Sequence, residues 1–348
     1  MALNFPLKKK VKPIYLISGF LFLLVIFLHW NLARVQEQLP SIAEASEVTT
    51  TALNEPVSPI PVNLNLDPDK ITLGQKLFYD TQLSSDNTVS CATCHDLKKG
   101  GGDGLVASVG MGKHQLTINS PTVFNSGFQF KQFWDGRAHT LEEQVDGPIQ
   151  TVGEMGGLSW EEVIKRLKQS AEYKSLFGEI YAKGITENSI KDAIAEFEES
   201  LFTPNAPFDR YLRGDKDALT ATEKQGYEAF KAYGCVTCHQ GMLLGGNMFQ
   251  TFGVMGDYFG DRGNVTKSDL GRYNVTGNER DRFVFKVPTL RNVALTAPYF
   301  HDGKAKSLDE AIKAMAKYQL GVQMPQNDVD DIMKFLRSLT GEYQGKAL

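Results

Sequence analysis

The chain has 348 residues, of which 42% are hydrophobic and 22% charged, and its formal net charge is −4 at pH 7. This composition is typical of a globular protein that is long enough for about two domains. The slightly acidic balance, with KKKVK at 8–12 as the one dense basic run, argues against nucleic-acid binding.

The first predicted element is an apolar helix over residues 14–30, IYLISGFLFLLVIFLHW, which contains no charged residue. A helix of this length would span about 26 Å, close to the ~30 Å hydrocarbon core of a bilayer. The A-x-A sequence at 43–45 lies far beyond the apolar run, which favours an uncleaved signal-anchor over a signal peptide. The preceding lysines predict a cytoplasmic basic segment over 1–13, a single pass through a bacterial inner membrane, and a periplasmic remainder.

Residues 31–69 are predicted to form a linker between the membrane and the globular part. The segment shows no hydrophobic periodicity and is rich in proline. Its prolines are Pro40, Pro56, Pro59, Pro61 and Pro68.

Beyond residue 69 the pattern becomes helical, so the fold class is predicted to be mainly α. Three segments fit a capping box ahead of an amphipathic run, namely Ser159–Glu162, Thr220–Glu223 and Ser307–Glu310. Apolar residues also recur at helical spacing over 190–201 and 332–339. The one candidate for a short strand is Phe283–Val287.

Two C-x-x-C-H motifs contain every cysteine of the chain. They comprise Cys91, Cys94 and His95, and Cys235, Cys238 and His239. This spacing is the attachment signature of c-type haem, in which both thiols bond to the porphyrin and the histidine binds the iron as proximal ligand. A Cys₄ zinc site or a redox dithiol would explain the cysteine pairs but not a histidine after each of them. The sequence therefore predicts two covalent c-type haems.

A weak internal repeat precedes the two motifs. GQKLFYD at 74–80 leads to the first motif and GYEAFKAYG at 226–234 to the second, and each resembles the first helix of a small cytochrome c unit. We therefore predict two tandem cytochrome c-like haem domains, over 70–205 and 206–348. This arrangement also allows the last helix of the second domain to pack on the first. The sixth ligands of the irons stay open at this point, with His114, His139 and His301 as the unassigned histidines outside the apolar segment.

Four further motifs resemble those of the bacterial dihaem cytochrome c peroxidase family, in the same order and at similar spacing. They are SPTVFN (120–125), FWDGRA (133–138), GPIQTVGEM (147–155) and VPTLRNVALTAPYFHDGK (287–304). The resemblance covers about residues 70–341. It implies two-electron reduction of hydrogen peroxide to water, and it extends to the MauG-type enzymes that oxidise a tryptophan-derived cofactor.

The resemblance implies two unequal haems. The haem on His239 corresponds to the electron-entry site, with Met315 as distal ligand, a combination that raises the reduction potential. The haem on His95 corresponds to the peroxidatic site, where Glu154 matches the catalytic carboxylate and Gln144 its neighbour. A carboxylate in this place can move a proton between the two peroxide oxygens.

Two other assignments also follow from the resemblance. Trp134 matches an aromatic residue between the haems that assists electron transfer. A calcium site is implied at Asn119, Thr296 and Pro298, whose oxygens suit a hard cation.

One position departs from the common family pattern. Where many members have a distal histidine at the peroxidatic haem, this chain has Met111, and His114 follows three residues later. Methionine also occurs there in membrane-attached quinol peroxidases, which carry an additional haem motif that is absent from this sequence. The resting ligand is therefore Met111, His114 or none, and the need for reductive activation depends on which.

Two other functions compete with the peroxidase. A MauG-like protein-modifying oxidase would carry tyrosine where this chain has Met315, and an electron carrier without turnover would not need Glu154 and Gln144. The electron donor is left open between a cytochrome c, a cupredoxin and membrane quinol. The oligomeric state is also left open, although the family includes homodimers.

Overall fold

The computed structural model describes residues 55–348. The predicted segments 1–13 and 14–30, and the linker as far as residue 54, lie outside the described residues. Within residues 55–348, no helix has the length and apolar character that a bilayer span requires.

The described chain is mainly helical, as predicted. Its helices are α1 (Pro68–Phe78), α2 (Cys91–Cys94), α3 (Leu141–Gln150), α4 (Trp160–Leu167), α5 (Ala171–Ile180), α6 (Glu187–Glu199), α7 (Pro207–Leu212), α8 (Ala221–Ala232), α9 (Tyr258–Arg262), α10 (Tyr273–Thr276), α11 (Leu308–Met315) and α12 (Gln326–Arg337). Strands β1 (Phe249–Thr251) and β2 (Val284–Lys286) pair antiparallel, as do β3 (Glu342–Tyr343) and β4 (Lys346–Ala347). The short strand expected within Phe283–Val287 is thus confirmed.

Two of the three predicted capping boxes are complete. Ser159 and Glu162 exchange side-chain and backbone hydrogen bonds at the start of α4, and Thr220 and Glu223 do the same at α8. At α11 the Ser307 hydroxyl accepts from the N–H of Glu310, but the Glu310 carboxylate accepts from the N–H of Lys306. This third box is therefore only half formed.

We call residues 68–205 the first half and residues 206–348 the second half. In the first half, α1 crosses α6 at a glycine. A Cβ on Gly74 would lie 1.8 Å from the carbonyl oxygen of Ala193 and 2.8 Å from Cβ of Phe197. A side chain at Gly74 would therefore force these two helices apart.

In the second half, α8 crosses α12 in the same way. A Cβ on Gly226 would lie 2.0 Å from the carbonyl oxygen of Asp331 and 3.0 Å from Cβ of Phe335. Gly226 is thus equivalent to Gly74, and Phe335 to Phe197. The weak sequence repeat that begins at these two glycines therefore corresponds to a repeated helix crossing.

The last helix makes its main contact within the second half, against α8. The tandem arrangement allowed this helix to pack on the first half, but its apolar face, with Phe335 at the centre, covers the Gly226 crossing. The first half is contacted instead by the chain that follows α12. Tyr343 packs edge-on against Phe124, with ring centroids 5.3 Å apart.

The described part of the predicted linker is fixed to the second half. Val57 and Ile60 are buried, and Val57 joins the apolar core of that half. The N–H of Ile60 donates to Oδ1 of the buried Asp209 at 3.1 Å. Residues 55–66 contain no helix or strand, yet this stretch is held by specific contacts.

A second internal correspondence relates residues 120–138 to residues 287–305, and sequence reasoning missed it. Both have Pro-Thr at their second and third positions, an asparagine four residues after the proline, and Asp-Gly-x-Ala at their end. The two asparagines, Asn125 and Asn292, are both buried in the left-handed conformation, with φ of 62° and 59°. Their amides both donate to the hydroxyl of Thr203, at 2.8 Å and 3.0 Å.

This correspondence makes Trp134 equivalent to His301, and Asn119 equivalent to Lys286. The backbone hydrogen bonds of these residues are equivalent too. The N–H of Asn119 donates to the carbonyl of His301, and the N–H of Lys286 donates to the carbonyl of Trp134, both at 2.8 Å. The two halves therefore exchange matching hydrogen bonds.

Candidate haem sites and the region between them

The second half contains a cavity of about 520 Å³ whose wall includes Cys235, Cys238, His239 and Met315. The Nδ1–H of His239 donates to the carbonyl of Leu244 at 2.9 Å, which leaves Nε2 available to a metal. Burial lowers the pKa of His239 and so favours the neutral imidazole that binds metals. The cavity therefore has the residues that a c-type haem requires.

Met315 reaches this cavity from the end of α11, where the helix widens into a π-helical turn, Ala316–Leu320. Such turns are frequent at functional sites. The Met315 side chain packs against a buried aromatic cluster that includes Phe252 and Phe259, and Trp134 packs against the same cluster. Thioether and imidazole share one cavity, as histidine–methionine ligation of a single iron would require.

The first attachment motif lies on the short helix α2 and the residue after it. The N–H of Ser90 donates to the Thr93 hydroxyl at 2.9 Å, which fixes the start of the turn. His95 follows, and its Nδ1–H donates to the carbonyl of Gly101 at 3.3 Å. Both histidines thus present the same ring nitrogen for iron.

Burial favours the neutral form of three attachment thiols. It raises the pKa of Cys91 to about 12, and the pKa values of Cys94 and Cys235 to about 11. At Cys94 the nearby charges of Asp103 and Glu154 add to this effect. Glu154 therefore lies close enough to the first motif for its charge to raise the pKa of Cys94.

Glu154 is positioned by two loops in close contact. The N–H of Met111 donates to the Glu154 carbonyl at 2.9 Å, and a Cβ on Gly110 would lie 2.0 Å from the carbonyl oxygen of Gly153. Burial raises the pKa of the Glu154 carboxyl, and the charge of Arg137 partly opposes this shift. The predicted catalytic acid and the predicted distal ligand thus belong to one small structure.

The side chains around Glu154 differ in their exposure and in the hydrogen bonds that they make. The Met111 sulfur accepts a hydrogen bond from the Ser85 hydroxyl at 2.8 Å. His114 is exposed and its ring packs against Gly153. Gln144 is half-buried on α3, and its side chain makes no hydrogen bond to any residue in 55–348.

Trp134 connects the two sites. Its indole Nε1–H donates to the Asn119 carbonyl at 2.9 Å, and it lines the cavity that contains His239. Ser120, the next residue after Asn119, donates to the Cys94 carbonyl at 3.1 Å, and its hydroxyl lies 3.4 Å from Nδ1 of His95. A short route of hydrogen-bonded groups therefore runs from the first proximal histidine to the second cavity.

The residues predicted to bind calcium border the same cavity. Three of their oxygens accept no hydrogen bond from residues 55–348, namely Oδ1 of Asn119 and the carbonyls of Thr296 and Pro298. Hard cations prefer such oxygens. The donor set thus suits the calcium ion that the resemblance implies.

His301 and His139 take no part in a comparable site. Nε2 of the buried His301 bonds to Oδ1 of Asp269 at 2.8 Å. Arg262 pairs with both Asp269 and Asp302 at 2.6 Å, so the charges of this cluster are already compensated within the protein. His139 is exposed beside Lys131.

Sequence reasoning missed the buried charged residues, and two of these form no ion pair within residues 55–348. Lys286 lines the second cavity, where it contacts Gln129, and burial lowers its pKa to about 7. Glu198 lies on α6, and burial raises its pKa to about 8. A signal for Glu198 was present, because it falls within the apolar stripe that includes Ile194, Phe197 and Leu201.

Comparison with known proteins agrees with this geometry. The family described as di-haem cytochrome c peroxidase matches residues 68–217. The chain is 49% identical over 312 residues to the cytochrome c peroxidase Ccp of Escherichia coli, covering 90% of this chain and 67% of that protein. It is 44% identical to the cytochrome c551 peroxidase of Nitrosomonas europaea, over 84% of this chain and 86% of that one. This chain belongs to the dihaem cytochrome c peroxidase family.

Other relatives are less similar to this chain. The methylamine utilization protein MauG of Methylorubrum extorquens is 34% identical over 86% of this chain and 88% of its own. A solved MauG-like protein associated with microbial copper homeostasis matches with a TM-score of 0.72 and 26% identity, covering 82% of this chain and 93% of its own. The diheme peroxidase BthA of Burkholderia thailandensis, with a TM-score of 0.67 and 20% identity, covering 83% of this chain and 91% of its own, shares the fold. Membership of the dihaem family implies two c-type haems, one on each motif.

Proposed function

We propose that this protein reduces hydrogen peroxide to water, with electrons that enter at the His239 site and are used at the His95 site. The observation that carries the proposal is the inequality of the two sites. The second cavity offers both His239 and Met315, whereas the first site combines His95 with the half-buried carboxyl of Glu154. Relatives that are 44% and 49% identical carry the name of peroxidases.

Bound haem would supply two one-electron centres, one of them open to peroxide. The role of the protein at the first site is to move a proton. The Glu154 carboxylate takes a proton from one peroxide oxygen and gives it to the other, which leaves as water. Gln144 lies on the neighbouring helix as an amide that can hold the peroxide by a hydrogen bond.

Trp134 is the proposed route between the sites. Its indole touches the Asn119 carbonyl on the side of His95 and borders the cavity on the side of His239. A carrier that only stored electrons would have no need for a proton-handling acid beside one of its sites. A MauG-like oxidase is disfavoured because Met315 occupies the place where the resemblance puts a tyrosine.

Several finer points belong to the same proposal. Asn119, Thr296 and Pro298 would hold one calcium ion with their free oxygens. The apolar segment 14–30 would anchor the protein in the bacterial inner membrane, with both haem domains, 70–205 and 206–348, in the periplasm. A small cytochrome c is the favoured donor, since two relatives are named for cytochrome c551, and a homodimer is the favoured assembly.

The deciding experiment is peroxide consumption by the purified, haem-loaded full chain. Reduced cytochrome c, a reduced cupredoxin and a quinol would be supplied separately, and turnover is expected with at least one of them. A protein that carries both haems and accepts electrons, yet consumes no peroxide with any donor, would rule out the proposed activity. Oxidation of a partner protein's tryptophans under the same conditions would support the MauG-like alternative.

A further inference from the structure

Glu198 stands out among the carboxylates of residues 55–348 because it is buried without a partner. Its side chain is 5% exposed. It accepts no hydrogen bond and forms no ion pair with any residue in that range. Burying an ionised carboxylate in this way is costly, so such a group is held neutral unless a cation approaches it.

The internal repeat shows what Glu198 faces. Phe197 and Phe335 occupy equivalent places at the two helix crossings, so Glu198 is equivalent to Leu336. Leu336 lines the wall of the second cavity, together with His239. By the same relation, Glu198 belongs to the wall of the first haem pocket.

A contact within the first half supports this placement. Phe197, the neighbour of Glu198, lies in an apolar cluster with Cys91 and Ala92 of the attachment helix. After burial, the charge of Glu198 is the strongest influence on the pKa of Cys91, which it raises. Glu198 and the first attachment cysteine therefore lie close to each other.

Other charged groups on the elements around Glu198 are engaged elsewhere. On α1, Lys70 pairs with Asp192 and Lys76 pairs with Glu172, both at 2.8 Å. The charge of Glu142 on α3 acts on Glu199. No charged side chain of residues 55–348 neutralises Glu198, and burial is the cause of its raised pKa.

We propose that Glu198 takes up one proton when the first haem accepts one electron, and releases it when that haem is oxidised. The electron comes from the donor and the proton from solvent, and no other bond changes. An oxidised haem iron carries one more positive charge than a reduced one, so it favours the carboxylate, while reduction favours the neutral acid. The inference rests on the haem content of the proposed function but not on peroxide turnover.

The consequence is a pH-dependent potential at one haem only. Where one proton accompanies one electron, the potential falls by about 59 mV for each tenfold drop in proton concentration. This slope is expected around neutral to mildly alkaline pH at the first haem, because the pKa of Glu198 is raised to about 8. The second haem, with Leu336 in the equivalent place, is expected to show a much smaller slope.

The test is spectroelectrochemical titration of both haems in the haem-loaded full chain, from about pH 6 to 9. Glu198→Gln keeps the shape but removes the proton site, and it should abolish most of the slope at the first haem. Glu198→Leu copies the second half and should do the same. Glu199→Gln, a change to the adjacent carboxylate, is the matched control and should keep the slope.

An unchanged slope in Glu198→Gln would overturn the proposal and assign the proton to another group, such as a haem carboxylate. If both variants fail to load haem, the wild-type protein still decides the question. Its redox difference infrared spectrum should gain a protonated carboxylic acid on reduction of the first haem, and a spectrum without this band would also overturn the proposal. Loss of peroxide turnover leaves these readouts intact, so the two proposals fail separately.

Discussion

The two halves of the molecule share a scaffold and differ in the walls of their pockets. Both cross two helices at a glycine, at Gly74 and Gly226, and both present a histidine whose Nδ1–H is held by a backbone carbonyl. The distal walls, however, carry different chemistry. Glu154 is close to the first site and Met315 to the second. The fold thus positions haem twice, and a few side chains decide what each site does.

Equivalent positions also carry different side chains where the two halves meet. Trp134 and His301 are equivalent, yet Trp134 connects the two sites while His301 is tied to Asp269. Asn119 and Lys286 are also equivalent. Asn119 has an amide oxygen that accepts no hydrogen bond from residues 55–348, whereas Lys286 brings an amino group into the second cavity, next to Gln129. Matching backbone positions therefore carry different side-chain chemistry.

The variant Glu154→Gln is the strongest test of the difference between the two haem sites. The variant keeps the shape of the side chain but cannot take a proton from peroxide, so turnover should fall by about 100-fold to 10,000-fold. Steady-state peroxide consumption measures this effect. Glu161→Gln, at an exposed position on α4, is the control and should leave turnover unchanged. Full activity in the Glu154 variant would move proton transfer to another group.

Removing the two candidate sulfur ligands should affect different haems. In Met315→Leu the second haem is expected to lose its six-coordinate low-spin state. Its reduction potential should also fall, because the methionine ligand raises that potential. Optical and electron paramagnetic resonance spectra measure both changes. Met333→Leu, a partly buried methionine of the same half, is the control. An unaltered second haem in the Met315 variant would refute histidine–methionine ligation.

At the first haem, Met111→Leu is expected to change the resting spectrum and His114→Ala to leave it unchanged. The reverse pattern would make His114 the ligand. If neither variant changes the spectrum, neither side chain binds the iron in the resting state, in agreement with the hydrogen bond that the Met111 sulfur accepts from Ser85. That last outcome would mean that the oxidised enzyme needs no reductive activation.

Asp269→Asn tests the network that distinguishes His301 from Trp134. Burial alone would raise the pKa of Asp269, but hydrogen bonds from His301 and Arg262 outweigh it and hold the pKa well below its usual range. Breaking such a buried network should lower the free energy of unfolding by about 3 kcal/mol. A depressed folded-state pKa gives stability that is present above the ordinary carboxyl pKa and is lost at lower pH.

Denaturant unfolding measures this difference. It should be constant from neutral pH down to about pH 4, the ordinary carboxyl pKa, and shrink in stronger acid. Asp217→Asn, at an exposed position of the same half, should have no comparable effect. A difference that persists undiminished in strong acid would exclude the charge as its source.

The smallest expected effect tests the shared scaffold itself. Gly74→Ala and Gly226→Ala should each destabilise the protein by about 1–3 kcal/mol, because the added methyl group overlaps the backbone of the crossing helix. Gly178→Ala is the control, since nothing lies within 4 Å of the added atom on the exposed side of α5, and it should stabilise slightly. Very different losses at the two crossing glycines would show that the crossings are not equivalent.

Local signals carried most of what the sequence could predict. The C-x-x-C-H spacing identified both attachment sites, and serine or threonine followed by glutamate located the starts of α4 and α8. The roles of Glu154 and Met315 came from the family resemblance, since an isolated acid in a loop and a methionine on an amphipathic helix are common features of proteins. The structure places both beside the expected sites.

The remainder depended on packing between distant segments. Glu198 and Lys286 are unusual only because tertiary contacts bury them, and sequence spacing does not report burial. The cap at α11 is only half formed because the Glu310 carboxylate accepts a hydrogen bond from the N–H of Lys306 and not from that of Ser307. The repeat between 120–138 and 287–305 was visible in the letters, but its meaning became clear only from the shared backbone geometry.

Thr203 joins the two halves, because its hydroxyl accepts a hydrogen bond from an asparagine of each. In the second half its counterpart is Gly341, whose N–H donates to the Oδ1 of Asn292 just as that of Thr203 donates to the Oδ1 of Asn125. Glycine has no hydroxyl, so one threonine serves both amides. Dividing the gene at this joint would leave a buried amide unsatisfied in the orphaned fragment, at a cost of about 1–3 kcal/mol. A single hydroxyl therefore couples the stability of the two halves.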